Sequence, residues 1–125
     1  MSTFHAVVWM DHSEAHVLMF DREHVESQRI QSRSHHKHQG KGGGDAAAFF
    51  ADVAKALNGT REVLLTGPGA ARNEFRDWCG SHARATAGVI VDSMATDHPS
   101  DNQLVALARQ YFKKFDAMAA DPAQV

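Results

Sequence analysis

Hydrophobic residues in the first thirty positions fall in short runs rich in β-formers, and beyond residue 45 they recur at helical spacing. Phe4 to Met10 reads as a strand, Asp11-His12-Ser13-Glu14 as a turn and Ala15 to Phe20 as a second strand, together a hairpin. Asp21-Arg22-Glu23 gives another turn. His24 to Ile30 follows as a third strand, polar enough to belong on a sheet edge. Periodicity is then lost until Gly44. From Asp45, the positions Phe49, Phe50, Val53 and Leu57 mark a helix that Asn58-Gly59 stops. Val63-Leu64-Leu65, inside a strand from Glu62 to Thr66, is an apolar run of the kind buried on both faces.

After the break at Thr66-Gly67-Pro68-Gly69, a second helix carries Phe75, Trp78 and Cys79 on one face. Ala87 to Val91 reads as a last short strand ending at Asp92. The final helix opens with Pro99, then Ser100 with Gln103 three residues on, which is a capping box. Leu104, Leu107, Ala108, Tyr111, Phe112 and Phe115 form its apolar stripe, read as core packing. The resulting order, β-β-β-α-β-α-β-α, predicts a single α/β domain over residues 1–125. Its fold class is a ribonuclease H-like mixed sheet, one layer flanked by helices, with right-handed crossovers.

Composition agrees with one globular domain: 125 residues, 43% hydrophobic and 22% charged. The single Cys79 cannot form an intramolecular disulfide and fits a reducing compartment. The N-terminus has no basic n-region, and Asp11 and His12 interrupt its apolar run. No stretch approaches the roughly 18 apolar residues of a membrane span, so a cytoplasmic location without membrane association is expected.

Charge is uneven along the chain. Ser27 to Gly44 holds Arg29, Arg33, Lys37 and Lys41, three histidines and no acid, whereas the rest carries nine basic against fifteen acidic residues. A mobile, basic, histidine- and glycine-rich loop over about 31–44 is expected. Its composition suits a polyanion, although solvated loops often look the same. An RNA-binding loop here would use Arg29, Arg33, His35, His36, Lys37, His38, Lys41, Gly42, Gly43 and Gly44.

Other chemistries are less well provided for. His35, His36 and His38 have no cysteine or carboxylate among them to complete a zinc set, so neither a metal site nor a cofactor is called for. Asp11 and Asp92 are the carboxylates that a two-metal nuclease would need, but Asp11 reads as a turn residue and neither Asp45 nor Asp52 joins them. Thr66-Gly67-Pro68-Gly69 lacks the Gly-Lys-Ser/Thr of a nucleotide P-loop and reads as a tight connection. Cys79 reads as a buried thiol, and His98 as a neighbour of the last helix cap.

The run His38-Gln39-Gly40-Lys41-Gly42-Gly43-Gly44-Asp45, placed after three strands and before a helix, resembles the middle domain of archaeal and eukaryotic class-1 release factors and Pelota-type rescue factors. In release factors a basic loop there ends in Gly-Arg-Gly-Gly-Gln. Here Lys41 stands for the arginine and Gly44 for the glutamine. Val63-Leu64-Leu65-Thr66-Gly67-Pro68-Gly69 resembles the family's strand and glycine turn. Asp97-His98-Pro99-Ser100-Asp101-Asn102-Gln103-Leu104-Val105 is similar to a stretch typical of small stand-alone bacterial versions known as translational machinery proteins.

The resemblance implies a ribosome- or tRNA-binding module for stress, hibernation or rescue. Glycines let backbone N–H groups approach a ligand, and the lysines and arginines neutralise phosphates. It also implies that catalysis is impaired, because Gly44 has no side chain to orient water. Two alternatives stay open: a peptidyl-tRNA ester hydrolase working through the loop backbone, and a protein-interaction domain with no RNA partner. Oligomeric state is not legible.

Overall fold

The computed structural model describes residues 4–32 and 43–124, with side chains over 5–32 and 46–114. The elements are β1 (Phe4–Met10), β2 (Glu14–Phe20), β3 (Val25–Gln31), α1 (Gly43–Ala56), β4 (Thr60–Gly67), α2 (Ala71–His82), α3 (Arg84–Val89), β5 (Ile90–Ala95) and α4 (Asp101–Gln124). The expected α/β fold, one sheet flanked by helices, is the one observed. The five strands run in the order β3-β2-β1-β4-β5. β1, β2 and β3 pair antiparallel, whereas β4 lies parallel to both β1 and β5.

Two aspartates make the two hairpin turns by the same device. Asp11 Oδ1 accepts the backbone N–H groups of Ser13 (2.8 Å) and Glu14 (2.9 Å). Asp21 Oδ1 accepts those of Glu23 (2.8 Å) and His24 (2.7 Å). A carboxylate that satisfies two amides ahead of it closes the turn locally. Those two bonds also hold the Asp21 carboxyl below its usual range.

Alternation along the strands divides the core in two. Ala6, Val8, Met10, Ala15, Val17, Ile30, Val63 and Leu65 face α1 and α2, where Phe49, Phe50, Val53, Leu57, Phe75 and Cys79 meet them. Val7, Trp9, Leu18, Phe20 and Leu64 face α4, which contributes Leu104, Val105, Ala108 and Phe112. β3 is exposed except at Ile30, as an edge strand should be. The α4 cap forms as its sequence requires: Ser100 N donates to Gln103 Oε1 (2.9 Å), and Gln103 N to Ser100 Oγ (3.2 Å).

β4 starts two residues before the expected Glu62, at Thr60, and two further boundaries depart from expectation. The last strand is Ile90–Ala95 rather than Ala87–Val91, and Asp92 lies inside it, not at its end. Arg84–Val89 is a short helix instead, because its Arg-Ala-Thr-Ala start favours helix and its Thr86 is buried. The other departure concerns the helix that follows the basic segment. α1 begins at Gly43, so Gly43 and Gly44 are helical backbone and Gln31 belongs to β3. First-turn N–H groups have no intrahelical partner, so glycines are tolerated there at little cost.

Gly67 ends β4 at a φ of +149°, and a Cβ there would run into the Met10 carbonyl oxygen. Gly67→Ala should therefore cost at least about 2 kcal/mol in denaturant unfolding through strain and overpacking. Gly69→Ala, which meets open space, should stay within about 0.5 kcal/mol of the parent.

Candidate nucleic-acid interface

The segment singled out by its charge leaves the fold from β3 and returns at α1. On the β3 side its root is fixed: Gln31 pairs with Glu14, and the buried Ser32 donates its N–H to Ser13 O at 2.8 Å. Arg29, Gly43 and Gly44 are the expected binding residues that the structure describes. Arg33, His35, His36, Lys37, His38, Lys41 and Gly42 lie outside the described residues, as does most of the loop expected over 31–44.

Beside this root, β3 and α1 enclose a groove of about 530 Å³ lined by Gln28, Arg29, Ile30, Gln31, Asp52, Lys55 and Ala56. Arg29 also borders a smaller cavity of about 290 Å³ with His16, Ser27, Gln28 and Asp101. Its Nε lies 3.7 Å from Glu14 Oε1, and its side chain is 62% exposed. A pair so long and so exposed holds the guanidinium weakly, leaving its other donors for a phosphate.

On the α4 face, next to the same root, the Asp97–Asp101 stretch closes over the ends of β1 and β2. Trp9, 3% exposed, donates its indole N–H to Asp97 O at 2.6 Å. The ring of His98 stacks on the Trp9 ring at 3.9 Å between centroids and 14° between planes. His98 is thus more than a neighbour of the cap. Its ring meets His16 edge-on at 5.3 Å, and His16 Nδ1 faces Asp101 Oδ1 at 3.5 Å. Sequence spacing does not join these residues, because His16 and His98 meet only through the sheet. The motif Asp97-His98-Pro99-Ser100-Asp101 is the available signal, and sequence rules interpret only its capping half.

No protein-family model and no curated protein sequence matches the chain. Solved structures do. Archaeoglobus fulgidus Pelota superposes with a TM-score of 0.62 at 16% identity, covering 88% of this chain and 32% of that one. S. cerevisiae Dom34, a translation termination-like factor, gives 0.61 at 17% identity, covering 94% and 36%. The archaeal translation termination factor aRF1 gives 0.55 at 13% identity, covering 96% and 42%. The chain shares the fold of a segment of Pelota. It spans roughly a third to two fifths of these proteins' lengths.

Within this Pelota-like fold the remaining sequence candidates have structural work. Asp11 closes a turn at the end of β1, and Asp92, inside β5, accepts from Ser93 N at 2.8 Å. β4 lies between these two strands. The Tyr111 hydroxyl is pushed up, first by burial and then by the charge on Asp92. Thr66 Oγ1 donates to Val8 O at 2.9 Å, and Gly67 abuts the Met10 carbonyl, so the Thr66–Gly69 turn is a tight connection. No helix among the described residues is long and apolar enough to cross a membrane.

Cys79 is fully buried against the α1–α2 core, and desolvation pushes its thiol up to about 12. Alkylation by iodoacetamide at pH 8 should therefore be very slow in the native protein and rapid in guanidinium. Fast native labelling in a mass-spectrometric time course would contradict a purely structural thiol.

Proposed function

We propose that the protein is a translation-associated module that binds ribosomes or tRNA through the basic segment between Ser32 and Gly43, without cleaving peptidyl-tRNA. The observation that carries this reading is the position of Arg33, Lys37 and Lys41 in the chain between β3 and α1, with the glycine run leading into α1, in a fold shared with Dom34 and aRF1. Dom34 is described as involved in RNA quality control pathways and as interacting with Hbs1. A rescue-type or stress role is the one this kinship favours.

The chemistry follows from the residues. Arg33, Lys37 and Lys41 supply positive charge in a stretch, Ser27 to Gly44, that holds no acid, and Arg29 extends it onto the edge strand. Phosphate neutralisation of this kind releases counterions and makes affinity fall with salt. The glutamine of the release-factor loop has no counterpart, since Gly44 occupies its place at the first turn of α1. A backbone N–H remains there, but no side chain to hold a water.

Full-length protein should co-sediment with ribosomes, or shift tRNA, at low salt and less so at moderate salt. The Arg29→Ala/Arg33→Ala/Lys37→Ala/Lys41→Ala variant should bind weakly, with the log–log salt slope reduced by about 0.7–0.9 for each phosphate no longer neutralised. Absence of binding to both partners at either salt would leave the protein-interaction reading instead. On ribosomes carrying formyl-methionyl-tRNA no amino acid should be released. Release would favour the hydrolase.

A further inference from the structure

Glu14, His16 and His98 bring one ligand atom each to within 4.8 Å of one another. Glu14 and His16 lie two residues apart on β2, so they share the face covered by α4. His98 arrives from the β5–α4 connection, held by its stack on Trp9. We propose that these three side chains form a binding site for a divalent transition-metal ion of the zinc class, independent of the basic segment.

The decisive feature is His16. Its side chain is only 11% exposed, and its buried Nε2 has no hydrogen-bond partner among the described residues. Glu14 Oε1 lies 3.6 Å away, beyond hydrogen-bonding range. A buried nitrogen left this way is costly unless something fills the gap. On the other side of the ring, Nδ1 faces Asp101 Oδ1 at 3.5 Å. Drawn in by a few tenths of an ångström, that carboxylate would hold the Nδ1–H and leave the opposite nitrogen's lone pair for a metal, as outer carboxylates do at metal-bound histidines.

The donor set fits the ion. Two imidazoles and a carboxylate make the three-ligand set of an open zinc centre, with a further position for water. Donor atoms around tetrahedral zinc lie about 3.3 Å apart when the bonds are about 2.0–2.1 Å. Closing from at most 4.8 Å to that spacing asks for up to about 1.5 Å of approach, which exposed His98, sliding on the face of Trp9, and half-buried Glu14 share. A bound ion would also displace Arg29 from Glu14, from which it now stands 3.7 Å away.

The test uses tag-free, metal-stripped, full-length protein titrated with Co²⁺ alone and then with Zn²⁺. One Co²⁺ per chain should bind, with the visible absorption of a low-coordinate nitrogen–oxygen site, and Zn²⁺ should displace it. His98→Gln and Glu14→Gln, both changes near the surface, should abolish that absorption while far-ultraviolet circular dichroism stays native. Asp101→Asn should weaken binding by about 10- to 100-fold. His35→Ala/His36→Ala/His38→Ala should leave the absorption intact. The proposal is overturned by absence of saturable binding, by absorption that survives in both His98→Gln and Glu14→Gln, or by its loss in the triple variant. None of these outcomes depends on ribosome binding, so this site and the proposed function stand or fall separately.

Discussion

Everything in the molecule hangs on β1 being buried on both faces and paired on both edges. It runs antiparallel to β2 and parallel to β4, and thereby joins a hairpin sheet to a crossover sheet. Ala6, Val7, Val8 and Met10 are wholly buried, and Trp9 almost so. From Ala6 to Met10 a strand in that position carries no polar side chain but the indole N–H of Trp9. It also brings neighbours close: Gly67 on β4 must be glycine because the Met10 carbonyl occupies the space of a Cβ. Each helical layer then has one face of the same strand to cover, α1 and α2 on one side and α4 on the other.

Trp9 extends this role from the core to the surface. Its ring belongs to the α4-side core, yet its N–H fixes the backbone at Asp97 and its face supports His98. The approach to α4 is therefore set by an anchor on the central strand, and not by the capping box alone. His16, one strand over, is positioned by the β1–β2 register, which sets it opposite Trp9. The two histidines owe their proximity to two unrelated stretches of chain that share one indole.

Much of this architecture is legible in the sequence because it rests on local rules. The two Asp-led turns, the Val63–Leu65 run and the Ser100–Gln103 box each encode their structure within four or five residues. The sequence pattern misplaces β5 because Ile90-Val91-Asp92-Ser93-Met94-Ala95 lacks a clear period. Most of its residues are only half-buried, and pairing with β4 is what makes it a strand. Periodicity starts α1 two residues late because glycines read as loop, although a first turn accepts them. Arg29 is legible as a basic edge residue. The Glu14–His16–His98 grouping is not, since it depends on sheet register and on a ring stack across the fold.

The root at Ser32 and the start of α1 have a consequence for how such a protein can change over time. Both ends of the intervening ten residues are fixed by contacts that do not involve those residues: the Ser32–Ser13 bond on one side, and the Phe49–Phe50–Val53 face of α1 on the other. Doubling the length of such an insertion would cost about 0.6 kcal/mol in closure entropy. With both anchors made by the scaffold itself, selection can vary the length between them at little cost in closure entropy.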